Sequence, residues 1–399
     1  MPDVALPSPL RLRRAARASS QESRVRLHRN GTTTFRLEVE RRITYDVINI
    51  RGHVFDPHDL TLASALEDRP TFIVVDQNVL RLYGSALRRY AASNLRCFGI
   101  SSLVAHETTK TLSSVGDICA RAYAAGIPRE GVLLAVGGGV ALDQAGCAAA
   151  LYRRGIRFAR IPTTLTGIVD VGVGIKQGVN AEGRKNLLGV FHPAYVNVCD
   201  LAFLESSPPR SIACGLAEIA KIAIVCDGPL FELLERDGAS LLSSNFQTQP
   251  IAEIVVARAQ QAMMDQLSDN LYEETFARLV DFGHTFSPLL ESQSRYEIAH
   301  GEAVSVDMVL SAAIALELGL CDAASFVRIV SMMRSFGTPV RDAALDENLG
   351  MDALAYARAH RGGALHLVVP CGIGTATFVQ DVGREVLRAA LARVNALTM

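Results

Sequence analysis

The chain has 399 residues, 49% of them hydrophobic and 20% charged, and its 40 Lys plus Arg nearly balance 41 Asp plus Glu for a net charge of −1. That length predicts two domains with ample buried core, and the charge balance excludes a globally basic surface of the kind that neutralises a nucleic-acid backbone. No apolar run is long enough to span a bilayer, so the expectation is a soluble globular protein with neither nucleic acid nor membrane among its partners.

Residues 1–40 form the one compositionally odd stretch, with Arg11, Arg13, Arg14, Arg17, Arg24, Arg26 and Arg29 and few acids. Arg13-Arg14 has the look of a twin-arginine export signal, but Ala15 to Glu22 follows instead of an apolar segment. The stretch reads as a basic, mobile tail on a cytoplasmic protein. The eight cysteines (Cys97, Cys119, Cys147, Cys199, Cys214, Cys226, Cys321 and Cys371) form no C-x-x-C pair and read as small core residues in a reducing compartment.

From 41 to 207 the pattern alternates. Apolar β-rich runs at Thr71 to Val75, Leu95 to Ile100, Val132 to Val136, Phe158 to Ile161 and Tyr195 to Cys199 are separated by helical stretches near 79–93, 112–126 and 140–153. This predicts an α/β domain with a mostly parallel sheet. Ser206-Ser207-Pro208-Pro209 marks a boundary. Residues 208–399 then read as a mostly α-helical domain, with helices over 211–226, 250–268, 273–280, 302–319, 322–336 and 383–396 and a strand signal near 365–370.

Gly137-Gly138-Gly139 follows an apolar strand and precedes a helix, where glycine lets a phosphate approach backbone N–H groups at the positive end of the helix. Leu142 stands at the third glycine of the Rossmann spacing, and a tight structural turn would use the same residues. Asp76 ends a strand, as an acid that accepts from a ribose would. The run from Ile161 to Asn180, with Pro162-Thr163-Thr164, Asp170, three glycines and Lys176, suits a wrapped anion, as does Arg184-Lys185-Asn186; a solvated basic loop is the alternative. Glu218 and Lys221 share one face of a helix whose other residues are nearly all apolar, and buried charges need a partner or a metal. His284 and His300 stand beside glycines. Together with Glu218 they match a divalent-metal site with three protein ligands and an open position.

Together these motifs resemble the sugar phosphate cyclases of the 3-dehydroquinate synthase superfamily. The matching pieces run from Gly137-Gly138-Gly139 with Asp143 through Arg153-Arg154-Gly155, Pro162-Thr163-Thr164, Asp170 to Lys176, Lys185-Asn186, Glu218 with Lys221, Arg278, Gly283-His284-Thr285-Phe286 and His300-Gly301-Glu302-Ala303-Val304. The resemblance implies an N-terminal NAD-binding domain, a helical metal-binding domain, a cleft between them and a homodimer. Glu218, His284 and His300 would hold Zn2+ or Co2+. Asp76, Glu107, Lys110, Gly138, Gly139, Asp143, Thr163 and Thr164 would contact NAD, with Asp170 and Lys185 close to it. Asp170, Lys176, Lys185, Asn186, Lys221, Arg278, Asp281 and His360 would face the substrate, and Arg154 would reach a neighbouring subunit's phosphate site.

The departures point to a subgroup. Dehydroquinate synthases read N-F-G-H-T-F-G-H where this chain has Asp281 to Pro288, and their upstream lysine, which grips a substrate carboxylate, is replaced within Gln260-Gln261-Ala262-Met263-Met264. A carboxylate substrate would lose a cation and meet an acid. Val173 to Asn180, Asn270-Leu271-Tyr272-Glu273, Asp281 to Pro288 and His360 to Gly363 are similar to 2-epi-5-epi-valiolone synthases, which act on sedoheptulose 7-phosphate. The implied reaction is oxidation, phosphate elimination, reduction and aldol closure, with NAD regenerated in each turnover. Alternatives are the sister 2-epi-valiolone and desmethyl-4-deoxygadusol synthases or a 3-dehydroquinate synthase. More remote are a metal-dependent polyol dehydrogenase and a non-catalytic NAD-binding regulator.

Overall fold

A computed structural model describes residues 21–27, 33–39, 42–360 and 362–397. It divides into two units, Met1–Thr44 and Tyr45–Met399. In the first, β1 (Gln21–Leu27) and β2 (Thr33–Val39) pair antiparallel, so part of the stretch expected as a tail has strand structure. Residues 1–20, 28–32 and 40 of that stretch lie outside the described residues.

The second unit begins with strands β3 (Asp46–Ile50), β4 (Thr71–Asp76), β5 (Cys97–Leu103), β6 (Val132–Gly137) and β7 (Arg157–Pro162). A hairpin of β8 (Lys176–Ala181) and β9 (Arg184–Phe191) follows, then β10 (Val196–Asp200). Six strands form one parallel sheet in the order β3-β10-β7-β6-β4-β5. Every residue of β4 and β6 is buried, as expected for strands covered on both faces. One face packs Ile73, Val75, Leu134 and Val136 with α1 (Thr61–Leu66) and α2 (Gln77–Asn94). The other packs Phe72, Val74, Leu133 and Ala135 with α3 (Leu112–Ala124) and α4 (Gly139–Leu151). The alternation read from the sequence thus produced the expected α/β half.

The remainder is mostly helical, starting at Pro209, the last residue of the expected breaker: α5 (Pro209–Cys226), α6 (Gly228–Ser243), α7 (Ile251–Ser268), α8 (Ser287–Gln293), α9 (His300–Glu317), α10 (Ala323–Ser335), α11 (Glu347–His360) and α12 (Arg384–Asn395). A short antiparallel pair, β11 (Leu367–Pro370) and β12 (Ala376–Val379), lies before α12. α5 is buried continuously from Ile212 to Val225 and α9 almost so from Gly301 to Ala315, which makes them the central pair of this half. Gly301 permits their approach, because a Cβ there would stand 2.4 Å from Cys214 Cα. No helix among the described residues is long and apolar enough to cross a membrane.

One expected helix, 273–280, is absent. Phe276, Leu279 and Val280 have helical spacing, but Asn270 captures both backbone groups of Thr275, with Nδ2 donating to its carbonyl at 2.7 Å and Oδ1 accepting its N–H at 3.2 Å. Glu273 takes φ 57, and only a 3-10 turn forms, at Leu279–Asp281. Local side-chain bonds here outcompete the helix.

Candidate active site

The dinucleotide-like turn sits at the C-terminal ends of β4, β6 and β7. Gly138 caps α4 with no side chain, leaving the first helical N–H groups open to an anion. Close packing explains the glycines: a Cβ on Gly137 would lie 2.7 Å from Ala141 Cβ, and one on Gly138 would lie 3.0 Å from Thr164 Cγ2. Thr163 N–H donates to the Gly137 carbonyl at 2.9 Å, tying the ends of β6 and β7 together, and Thr164 Oγ1 accepts from Gly167 N–H at 3.1 Å within the turn that follows. Asp76 caps α2 by accepting from Asn78 N–H at 2.6 Å; burial raises its pKa against that bond.

Glu107 and Lys110, the looser part of the sequence match, join this end. Lys110 Nζ lies 2.5 Å from Asp143 Oδ2 and 2.6 Å from Asn186 Oδ1, while Asn180 Nδ2 donates to Glu107 Oε1 at 2.9 Å. Asn186 (φ 52) stands where the β8–β9 register slips between Val179 and Ala181, an irregularity that turns Lys185 and Asn186 out of the ladder.

Glu218 on α5, His284 after the Leu279–Asp281 turn and His300 at the start of α9 bring one ligand atom each to within 4.8 Å of one another. Gly283 (φ 75) makes the turn before His284. Asp307 of α9 then fixes the chain by accepting from the N–H groups of Thr285, Phe286 and Ser287 at 2.5–2.8 Å. Nδ1 of His284 faces the Phe282 carbonyl at 3.0 Å; Nδ1 of His300 faces Glu291 Oε1 at 2.9 Å, and its Nε2 lies 3.2 Å from Glu218 Oε1. Glu218 is buried, with Lys221 Nζ 2.7 Å from Oε2, yet neither of its oxygens has a well-aligned hydrogen bond. A buried carboxylate with unused acceptors beside two imidazoles backed at Nδ1 fits a divalent cation. Burial and the Lys221 charge pull the His284 pKa down to about 4. His300 is pushed up to about 9, where burial and Lys185 oppose but Glu291 and Glu218 prevail.

Asp170 lies on a π-turn, Gly167–Val171, with its Oδ1 3.7 Å from Lys221 Nζ. Beneath that turn the wholly buried Arg160 of β7 donates to the carbonyls of Val171, Gly172 and Gly174 at 2.6–3.2 Å. A cavity of about 440 Å³ is lined by Asp143, Lys176, Asn186, Glu273, Arg278 and Asp281 among others. Within it Glu273 Oε1 lies 2.8 Å from Lys176 Nζ and also pairs with Arg278, whose Nη2 is 3.2 Å from Asp281. A larger hollow of about 730 Å³, beside the Arg258–Asp227 pair, holds none of the expected site residues. Arg154 is exposed on the turn after α4 and does not line the 440 Å³ cavity; the side chain of His360 lies outside the described residues. Glu291, Arg160 and Asp307 were not foreseen, and Glu273 entered the sequence reading only as part of a matching motif, without a role in the site.

Residues 100–214 match the family model for the 3-dehydroquinate synthase N-terminal domain and residues 215–357 that for the 3-dehydroquinate synthase C-terminal domain. The chain belongs to the 3-dehydroquinate synthase family. It is 47% identical to a 2-epi-5-epi-valiolone synthase of Streptomyces glaucescens, over 86% of this chain and 90% of the relative. It is 34% identical to a demethyl-4-deoxygadusol synthase of Trichormus variabilis, over 90% of each. Among solved structures, the 2-epi-5-epi-valiolone synthase of Streptomyces hygroscopicus subsp. jinggangensis 5008 with NAD+ and Zn2+ bound superposes with a TM-score of 0.86 at 40% identity, covering 90% of this chain and 99% of that one.

Proposed function

We infer that this chain is an NAD- and metal-dependent sugar phosphate cyclase that converts sedoheptulose 7-phosphate to 2-epi-5-epi-valiolone and releases inorganic phosphate. The observation that carries the reading is the convergence of the buried Glu218 with the half-buried His284 and His300, with Lys221 and Asp170 against them, in a chain 47% identical to a synthase of that name. Glu218, His284 and His300 would hold Zn2+ or Co2+, which when bound supplies a Lewis acid at the reacting carbon. NAD, held at the glycine turn by Asp76, Gly138, Gly139, Asp143, Thr163 and Thr164 with Glu107 and Lys110 behind them, supplies a reversible hydride acceptor. Oxidation and reduction cancel within the turnover, so no external oxidant is consumed.

The chain's own groups orient and exchange protons. Lys221 Nζ, between Glu218 and Asp170, is a buried donor to a substrate hydroxyl, and Asp170 is the adjoining acceptor. Lys176, Asn186 and Arg278 gather cationic and amide donors for the phosphate at the mouth of the 440 Å³ cavity. Glu273 and Asp281 set two acids against Arg278, which disfavours a substrate bearing a second anionic group there. Pro288 stands in the first turn of α8 where dehydroquinate synthases carry a histidine, and the buried Met263 lies in the stretch that lacks their lysine. These features favour the heptulose phosphate over a carboxylate substrate. A homodimer, with Arg154 serving the neighbouring subunit, and a cytoplasmic location, in keeping with eight unpaired cysteines, belong to the same reading.

The test is to incubate metal-loaded protein with catalytic NAD+ and either sedoheptulose 7-phosphate or the dehydroquinate synthase substrate, then identify the cyclitol by NMR. 2-epi-5-epi-valiolone and phosphate from the first substrate are expected. Phosphate release from the second alone overturns the reading, a different stereoisomer assigns a sister cyclase, and stoichiometric NADH assigns a dehydrogenase. His284→Ala should lose metal binding and at least a thousandfold in turnover while retaining NAD binding.

A further inference from the structure

Glu291 of α8 is 3% exposed and meets two groups at once. Its Oε1 lies 2.9 Å from His300 Nδ1, and its Oε2 lies 2.5 Å from Lys185 Nζ. Lys185 Nζ is itself 3.3 Å from the same Nδ1. These contacts set up a competition. An ammonium can only donate, so a lysine bonded to Nδ1 would require that nitrogen to accept and would place the imidazole proton on Nε2. Nε2 is the nitrogen that faces Glu218 at 3.2 Å, and a protonated Nε2 cannot ligate a cation. The carboxylate resolves the conflict by accepting from both neighbours, one on each oxygen.

We propose that Glu291 is a positioning residue that keeps the His300 proton on Nδ1 by drawing the Lys185 ammonium away from that nitrogen, so that Nε2 stays open to the metal. The proposal rests on the metal reading above. It assigns to Glu291 the role that a carboxylate behind a ligating histidine plays generally, with an added function: shielding the imidazole from a cation contributed by the other half of the fold. His284 has no such conflict, because a backbone carbonyl backs its Nδ1.

A glutamine at 291 cannot serve both neighbours. With its carbonyl toward Lys185, its NH2 faces Nδ1 and forces the wrong tautomer. Removing the ammonium as well frees that carbonyl to accept from Nδ1. The experiment therefore measures Zn2+ affinity by chelator competition and the Co2+ visible spectrum on the full chain, for wild type, Glu291→Gln, Lys185→Met and the double variant. Circular dichroism of each metal-free protein reports folding. Glu291→Gln is expected to bind Zn2+ about 10–100-fold more weakly. Lys185→Met should stay within about threefold of wild type or bind more tightly, and the double variant should recover most of the loss.

Equal affinity in wild type and Glu291→Gln, or a double variant no better than Glu291→Gln, overturns the proposal and leaves the metal reading intact. A wild-type chain that binds no Zn2+ overturns both. Should Glu291→Gln fail to fold, Glu291→Asp, which keeps the charge but shortens the reach by one methylene, takes its place. Weakened Zn2+ binding by Glu291→Asp then supports the proposal, and unchanged binding refutes it.

Discussion

Lys221 holds a charge at 2% exposure, against Glu218 and, more loosely, Asp170, and both acids raise its pKa against the opposing effect of burial. The site thus keeps a protonated amine where water is excluded. Lys221→Met should lower phosphate release from the heptulose substrate by about 10²–10⁴-fold while NAD binding persists; a loss under tenfold would remove the lysine from the chemistry. At the cavity mouth, Glu273 occupies the two cations that a phosphate would use. Glu273→Gln should lower the KM for sedoheptulose 7-phosphate about fivefold, equivalent to roughly 1 kcal/mol for a partly exposed ion pair; a raised KM would make the acid a support for the cations instead of their competitor. Glu218 and Lys221 were legible because charged residues in an apolar helix stand out. Glu291 was not, since it lies among Ser292, Gln293, Ser294 and Arg295, and only the meeting of α8 with β9 and His300 buries it.

Short irregular elements carry most of the site. The π-turn bearing Asp170 rests on Arg160, whose pKa burial pulls down to about 10, yet one arginine in a strand gives no sequence sign of three carbonyls gathered over it. The β8–β9 hairpin has no strand signature in the sequence, where its residues suggest an anion-wrapping segment or a solvated basic loop, because its register slip and mixed composition hide a two-residue period. The turn carrying His284 depends on Asp307. Burial pushes the Asp307 pKa from 3.8 up to about 6, even though three backbone N–H groups and Ser311 favour the carboxylate. An acid whose pKa is raised on folding adds stability below about pH 4 that is lost as pH climbs through about 6, a swing of order 3 kcal/mol. The stability of wild type relative to Asp307→Asn in urea should therefore fall between pH 4 and 6, and a rise across that window would contradict the assigned direction.

Across the whole molecule, the two halves named from sequence were visible through their hydrophobic periods, but the ties between them were not. Asn49 of β3 donates to Gln260 of α7 at 2.7 Å, Gln260 donates to the Ile168 carbonyl at 3.1 Å, and Lys185 of β9 reaches Glu291 of α8. Each tie joins residues remote in the chain, which no local pattern encodes. The core around α5 and α9 is held by an extensive set of buried apolar side chains, so chelation should lower Tm by only about 5 °C and leave the far-UV circular dichroism unchanged; collapse of the helical signal would mean that the ion is a structural keystone. The strand order has a consequence in time. β3 lies at the edge of the sheet and pairs with β10, Asp46 opposite Val196, so on the ribosome it must wait while 150 further residues are made. At about 5–20 residues per second that is roughly 8–30 seconds during which this edge strand, with Val47, Ile48 and Ile50, has no partner. The nascent chain is accordingly most in need of a chaperone before Asp200 emerges.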